Sequence, residues 1–117
     1  MPGPMTICPS HIDMNAKFGA IIDSSTPVLV DFFATWCGPC QTLAPILKDL
    51  SSEMGDHLRI IKIDVDKNPQ IASIYQVRSV PTLLLFQAGE LKWRGAGLLT
   101  VKELKGIIAK HSDAKVD

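Results

Sequence analysis

Apolar positions change their period several times along the chain. Met14, Phe18, Ile21 and Ile22 recur at helical spacing, and Ser10 followed by Asp13 forms a capping-box start, predicting an amphipathic helix over residues 11 to 23. Ser24-Ser25-Thr26-Pro27 ends it. Residues 28 to 34, Val-Leu-Val-Asp-Phe-Phe-Ala, are a continuous apolar run of β type broken only by Asp31, as in a strand buried on both faces. After Trp36-Cys37-Gly38-Pro39-Cys40, the apolar positions Leu43, Leu47, Leu50 and Met54 mark one face of a helix that ends near Gly55. Pro45 inside it removes the hydrogen bond to the carbonyl of residue 41, which predicts a kink. A second β run covers residues 58 to 65, and strand, helix and strand in this order have the size of a right-handed βαβ unit.

Asn68-Pro69 starts a shorter helix through Ile71, Ile74 and Tyr75, and Val80-Pro81 leads into a strand from Thr82 to Phe86. Gln87-Ala88-Gly89-Glu90 is a hairpin-length connection to Leu91-Lys92-Trp93-Arg94, so the last two strands pair antiparallel. Thr100 and Glu103 cap a final helix whose Val101, Leu104 and Ile108 face inward. A βαβ half followed by a ββα half predicts an α/β fold, a mixed central β-sheet flanked by helices on both faces. The pattern leaves open whether residues 4 to 8 add an edge strand. A single domain over residues 1 to 117 is expected, with 1 to 10 divergent and 112 to 117 a frayed polar tail.

Composition narrows the function. The 46% hydrophobic and 21% charged residues of this 117-residue chain suit one compact domain. Twelve Lys+Arg balance twelve Asp+Glu with no basic run, which argues against nucleic acid or an anionic membrane as partner. The N-terminal Met-Pro-Gly-Pro-Met-Thr-Ile-Cys lacks the basic and apolar regions of a secretory signal, and no apolar run approaches the roughly 20 residues of a membrane span. The expected location is the cytoplasm, where thiols stay reduced. Three cysteines are too few for a disulfide scaffold, so Cys37 and Cys40 point to catalysis or metal binding.

Disulfide exchange needs a thiolate, and Cys37 falls where a buried strand hands over to a helix. Free backbone N–H groups and the positive end of the helix dipole lower a thiol pKa there. Cys40 lies one helical turn on, within bridging reach. Gly38 is read as permitting a tight turn, and Pro39 is tolerated in the first turn. Exposure separates the roles: Cys37 at the helix tip beside Trp36 is the accessible nucleophile, and the deeper Cys40 resolves the mixed disulfide. Half of a zinc site is the competing interpretation, but Cys8, His11, His57 and His111 supply no matching second pair, so no metal is expected.

The segment Val30-Asp31-Phe32-Phe33-Ala34-Thr35-Trp36-Cys37-Gly38-Pro39-Cys40 resembles the active-site segment of the thioredoxin family. The resemblance continues through Pro45, Lys62, Asp64-x-Asp66-x-Asn68-Pro69, Arg78-Ser79-Val80-Pro81-Thr82 and the stretch from Gly89 to Gly97. It implies a thioredoxin fold and a general protein-disulfide reductase with a redox-active Cys37–Cys40 disulfide, Cys37 attacking and Cys40 resolving. It also implies that Trp36, Gly38 and Pro39 complete the active loop. Pro81 matches the family's cis-proline, which with the Val80 backbone pairs with an extended substrate segment, and Gly97 matches a glycine of the apolar docking surface. The partners implied are disulfide-containing proteins and an NADPH-linked thioredoxin reductase or equivalent electron donor, with no bound cofactor; a monomer is the default expectation. Phe33, Thr35 and Gln41 depart from commoner members, and a neutral Gln41 leaves the Cys37 thiolate more dependent on the helix terminus. Two alternatives are a disulfide oxidase or isomerase on the same fold and a binding module with an incidental dithiol.

Asp31 has two readings: a strand-end acid reaching solvent, or a desolvated proton acceptor behind Cys40. Lys62 on the neighbouring strand either moderates that carboxylate or is an ordinary surface lysine. Gly95-Ala96-Gly97 imitates part of a dinucleotide fingerprint but lacks its third glycine. Trp93 reads as packing, and Cys8 is left over.

Overall fold

The computed structural model describes residues 14–114. Cys8, His11, the Ser10/Asp13 cap and the candidate edge strand at 4 to 8 lie outside the described residues. The elements are α1 (Met14–Ile22), β1 (Val28–Phe33), α2 (Gly38–Met54), a 3-10 turn (Gly55–His57), β2 (Arg59–Asp64), α3 (Pro69–Ile74), β3 (Thr82–Gln87), β4 (Glu90–Ala96) and α4 (Val101–His111). The four strands form one sheet in the order β2-β1-β3-β4, with β1 parallel to β2 and the other pairs antiparallel. The expected fold class, a βαβ half joined to a ββα half, is the one observed.

Strand composition follows position in this sheet. The central strands are buried from Val28 to Phe32 and from Thr82 to Phe86, which is why both are nearly unbroken apolar runs. The edge strands β2 and β4 carry Arg59, Lys62, Glu90, Lys92 and Arg94, charges that discourage edge-to-edge pairing. Alternation sends Leu29, Leu83 and Leu85 to one face, against Leu43, Leu47, Leu50 and Met54 of α2 and Leu104 and Ile108 of α4. Val28, Val30, Phe32, Leu84 and Phe86 pack on the other face with Phe18 and Ile22 of α1 and Ile71 of α3. Helices therefore cover both faces.

Local signals set the ends of the elements. α2 is a single element across Pro45 and stops at Gly55, whose φ of 54° suits glycine. Ala88 and Gly89, with φ of 53° and 80°, turn the hairpin between β3 and β4. The Thr100–Glu103 capping box forms as expected. Beyond α4, hydrogen bonds continue as far as Ala114 among the described residues. The Ser112 hydroxyl donates to the Ile108 carbonyl at 2.7 Å, and the Ala114 N–H donates to the Ser112 hydroxyl at 3.2 Å. Gln87 also donates to the Asp113 carboxylate.

Candidate active site

The carboxyl end of β1 hands over to the N-terminus of α2, and Cys37 is the N-cap residue of that helix. Its extended backbone (φ −87°, ψ 115°) leaves the sulfur in the capping position, where it accepts the Cys40 N–H at 3.1 Å. Cys37 and Cys40 are disulfide-bonded, with Cα atoms 5.3 Å apart. The helix starts Gly38-Pro39, and proline at this point sacrifices no intrahelical donor. The peptide between Val80 and Pro81 is cis, and the Val80 carbonyl oxygen lies 3.7 Å from Cys37 Sγ. Three chain segments thus meet at the dithiol, and Phe33, Val65 and Val80 pack around Ala34, Cys37 and Cys40.

That packing corrects two expectations. Cys37 is not the exposed member of the pair: it is 3% exposed and Cys40 4%, because Phe33, Val65 and Val80 close over both. What distinguishes Cys37 is its place at the helix cap beside Val80. Gly38, in turn, is not required by a tight turn. It has no left-handed φ, and a Cβ there would meet no atom within 4 Å. The exposed surface of the site is Trp36, at 70%, with Leu98 at 49% beyond Gly97.

Trp36 is held by a partner that sequence reasoning missed. Its indole Nε1 donates to Asp66 Oδ2 at 2.9 Å across 30 residues. The Asp64 carboxylate accepts the Asp66 N–H at 2.9 Å and so shapes the turn that presents Asp66. The Asp64-x-Asp66 spacing was a visible turn signal, yet it does not say which indole it serves. Gln41 fixes the other side of the loop, donating from Nε2 to the Thr35 carbonyl at 3.2 Å.

Asp31 is fully buried, and neither carboxylate oxygen has a hydrogen-bond partner among the described residues. The solvent-reaching alternative is therefore excluded. Its alternation matches Leu29, so it lies on the face covered by α2, the helix that carries Cys40. Desolvation pushes its pKa up from 3.8 to about 6, and the nearby Lys62 charge moderates the rise. Lys62 faces Asp31 in the β1–β2 register while remaining exposed, with Nζ 5.1 Å from the Phe33 ring centroid. Both readings of Lys62 hold at once: it is a surface lysine, and its charge reaches the buried acid.

Gly97 joins the site through its N–H, which donates to the Pro81 carbonyl at 3.1 Å, and its φ of 90° favours glycine. Gly97→Ala is expected to lower stability by about 1 kcal/mol through backbone strain alone, since a Cβ there meets open space. Chemical denaturation measures that loss. The neighbouring Gly95 has a different reason to be glycine: a Cβ would collide with the Trp93 ring. Trp93 packs against the α2–α4 core, as expected, and the imitation of a dinucleotide fingerprint dissolves into sheet packing.

The family model described as Thioredoxin matches residues 10–110. A thioredoxin from Acidithiobacillus ferridurans is 46% identical over 88 residues, 75% of this chain and 82% of that one. The chain belongs to the thioredoxin family. A bifunctional thioredoxin reductase/thioredoxin from Mycobacterium leprae is 51% identical over 73 residues, 62% of this chain and 16% of that protein. Among solved structures, mitochondrial thioredoxin 3 of Saccharomyces cerevisiae in its oxidized form superposes with a TM-score of 0.74 at 35% identity, covering 81% of this chain and 89% of that one. The family and the bridged pair Cys37–Cys40 together make this chain a thiol-disulfide oxidoreductase that reduces protein disulfides. Among the described residues, no helix is long and apolar enough to cross a membrane.

Proposed function

We propose that the chain is a general protein-disulfide reductase in which Cys37 attacks and Cys40 resolves. The supporting observation is the Cys37 sulfur itself, at the cap of α2, 3.1 Å from the Cys40 N–H and 3.7 Å from the Val80 carbonyl oxygen. In the reduced protein that N–H and the helix terminus stabilise a thiolate. The thiolate attacks one sulfur of the substrate disulfide. A Cys37–substrate bond forms, the substrate S–S bond breaks, and the departing substrate thiolate takes a proton from solvent.

Cys40 then gives its proton to the Asp31 carboxylate and attacks Cys37 Sγ. The Cys37–Cys40 bond forms, the second substrate sulfur leaves, and two electrons have passed to the substrate. Asp31 returns the proton when the disulfide is next reduced, and Lys62 keeps Asp31 ionised over more of the physiological pH range. Trp36, Gly38 and Pro39 present the sulfurs. Val80 and Pro81 pair with an extended stretch of substrate backbone, and Gly97 leaves the adjoining surface flat.

The two sulfurs carry the electrons, so the cycle needs no bound cofactor. An NADPH-dependent thioredoxin reductase is the proposed donor, and the joining of both activities in the Mycobacterium leprae relative supports that pairing. The proposed setting is the cytoplasm and the proposed working form a monomer, carrying electrons between that reductase and client proteins. Insulin precipitation under limiting dithiothreitol tests the scheme. Wild type is expected to accelerate precipitation and Cys37→Ser to leave the uncatalysed rate; a wild type that does not accelerate it, with Cys37→Ser retaining full biological function, would favour the binding-module alternative.

A further inference from the structure

Arg94 lies on β4 opposite Leu84, with its side chain exposed. Its guanidinium does something more specific. One amine donates to the carbonyl of Tyr75 and the other to the carbonyl of Gln76 at 2.6 Å. Tyr75 caps α3, and Gln76 follows it with a left-handed φ of 55°. Carbonyls at the end of a helix have no intrahelical donor, and the planar fork of arginine satisfies two with one side chain.

Gln76 also begins the segment that runs to Val80 and Pro81. The far end of this segment is tied by the Thr82 hydroxyl, which donates to the Ser79 carbonyl at 2.6 Å, and by the Gly97 N–H on the Pro81 carbonyl at 3.1 Å. Arg94 and Gly97 are three residues apart in sequence, so the end of β4 and the residues just beyond it hold the substrate-pairing loop at both its entrance and its exit.

We propose that Arg94 is a positioning residue for substrate docking, clamping the entrance of the 76–81 loop so that the Val80 backbone is preset for an extended peptide. This rests on the reading of Val80 as the substrate-pairing strand. A small disulfide has no peptide backbone to pair with Val80, so its reduction does not depend on the clamp. The expected result is therefore selective by substrate class.

Arg94→Met keeps the aliphatic stem and removes every donor. It is expected to raise KM for insulin about five-fold with kcat changed by less than about two-fold, and to reduce dithiobis(nitrobenzoate) at the wild-type rate. Arg94→Lys, which retains the charge and one donor direction, is expected to fall between. That variant carries the test if Arg94→Met does not fold. An unchanged insulin KM in both variants, or an equal loss on both substrates that follows a lowered Tm, would overturn the proposal. Wild-type protein that fails to reduce insulin would overturn the reductase reading and this proposal with it.

Discussion

Cys40→Ser is expected to stop after half a turnover, with the substrate left covalently attached to Cys37. Without the second thiol nothing attacks the mixed disulfide, and steady-state reduction falls by about three orders of magnitude or more. Cys37→Ser loses turnover to a similar extent but accumulates no adduct. The asymmetry follows from the cap geometry. Both cysteines are buried to nearly the same degree, at 3% and 4% exposure, so access alone does not choose the nucleophile. Only Cys37 has its sulfur at the helix terminus with an N–H donor at 3.1 Å and the Val80 carbonyl alongside. Mass spectrometry of each variant after exposure to a disulfide peptide reads the adduct directly. An adduct on Cys40 in Cys37→Ser, at a rate equal to that on Cys37 in Cys40→Ser, would show that the cap does not select the attacking sulfur.

Asp31→Asn is expected to stabilise the protein and slow it. A carboxyl whose pKa rises from 3.8 to about 6 on folding stays neutral in both states at low pH and opposes folding once it ionises. The sign is fixed by which state binds the proton more tightly, here the folded one. The penalty that Asp31 imposes is therefore absent below about pH 4, grows as pH rises through about 6, and is constant above it. The rise from 3.8 to about 6 corresponds to about 3 kcal/mol. Neither oxygen has a partner among the described residues, so the amide gives up no hydrogen bond on the acceptor side and avoids the buried charge.

The gain in Asp31→Asn should accordingly be about 3 kcal/mol near pH 8 and close to nothing near pH 4, measured by denaturant titration at both. Resolution of the mixed disulfide should slow on the order of a hundred-fold, and its rise with pH through about 6 should disappear. Equal stabilities of the two proteins near pH 8 would contradict a buried, ionised carboxylate.

Asp31 was legible because a single acid in a seven-residue apolar run has to be buried or sit at a strand end, and strand alternation limits which face it takes. Pro39 and the Thr100 cap were legible because each acts through its own backbone or that of near neighbours, whereas the cis bond at Pro81 was implied only by the family resemblance. Burial of Cys37 was not, because it depends on Phe33, Val65 and Val80 arriving from three separate parts of the chain. Trp36 and Asp66 meet across 30 residues, and nothing in either residue names the other. Arg94 was the least legible of all. Its partners are two main-chain carbonyls, which every residue possesses and no sequence pattern marks. Gly38 differs from its expectation: its place between the cysteines suggested a tight turn, where the chain has an ordinary first helical residue.

Whether the couple works as a reductant depends on how strongly the protein stabilises its reduced form, because a very stable Cys37 thiolate makes a dithiol pair oxidising. Here the stabilisation comes from one N–H and a helix terminus. Gln41, the residue after Cys40, is neutral and turns its amide to the Thr35 carbonyl. The reduction potential of the Cys37–Cys40 couple, measured by equilibration against dithiothreitol or glutathione buffers, therefore tests the account most directly. A value more negative than about −230 mV is the predicted result, and one near about −120 mV, typical of a strong dithiol oxidant, would contradict it.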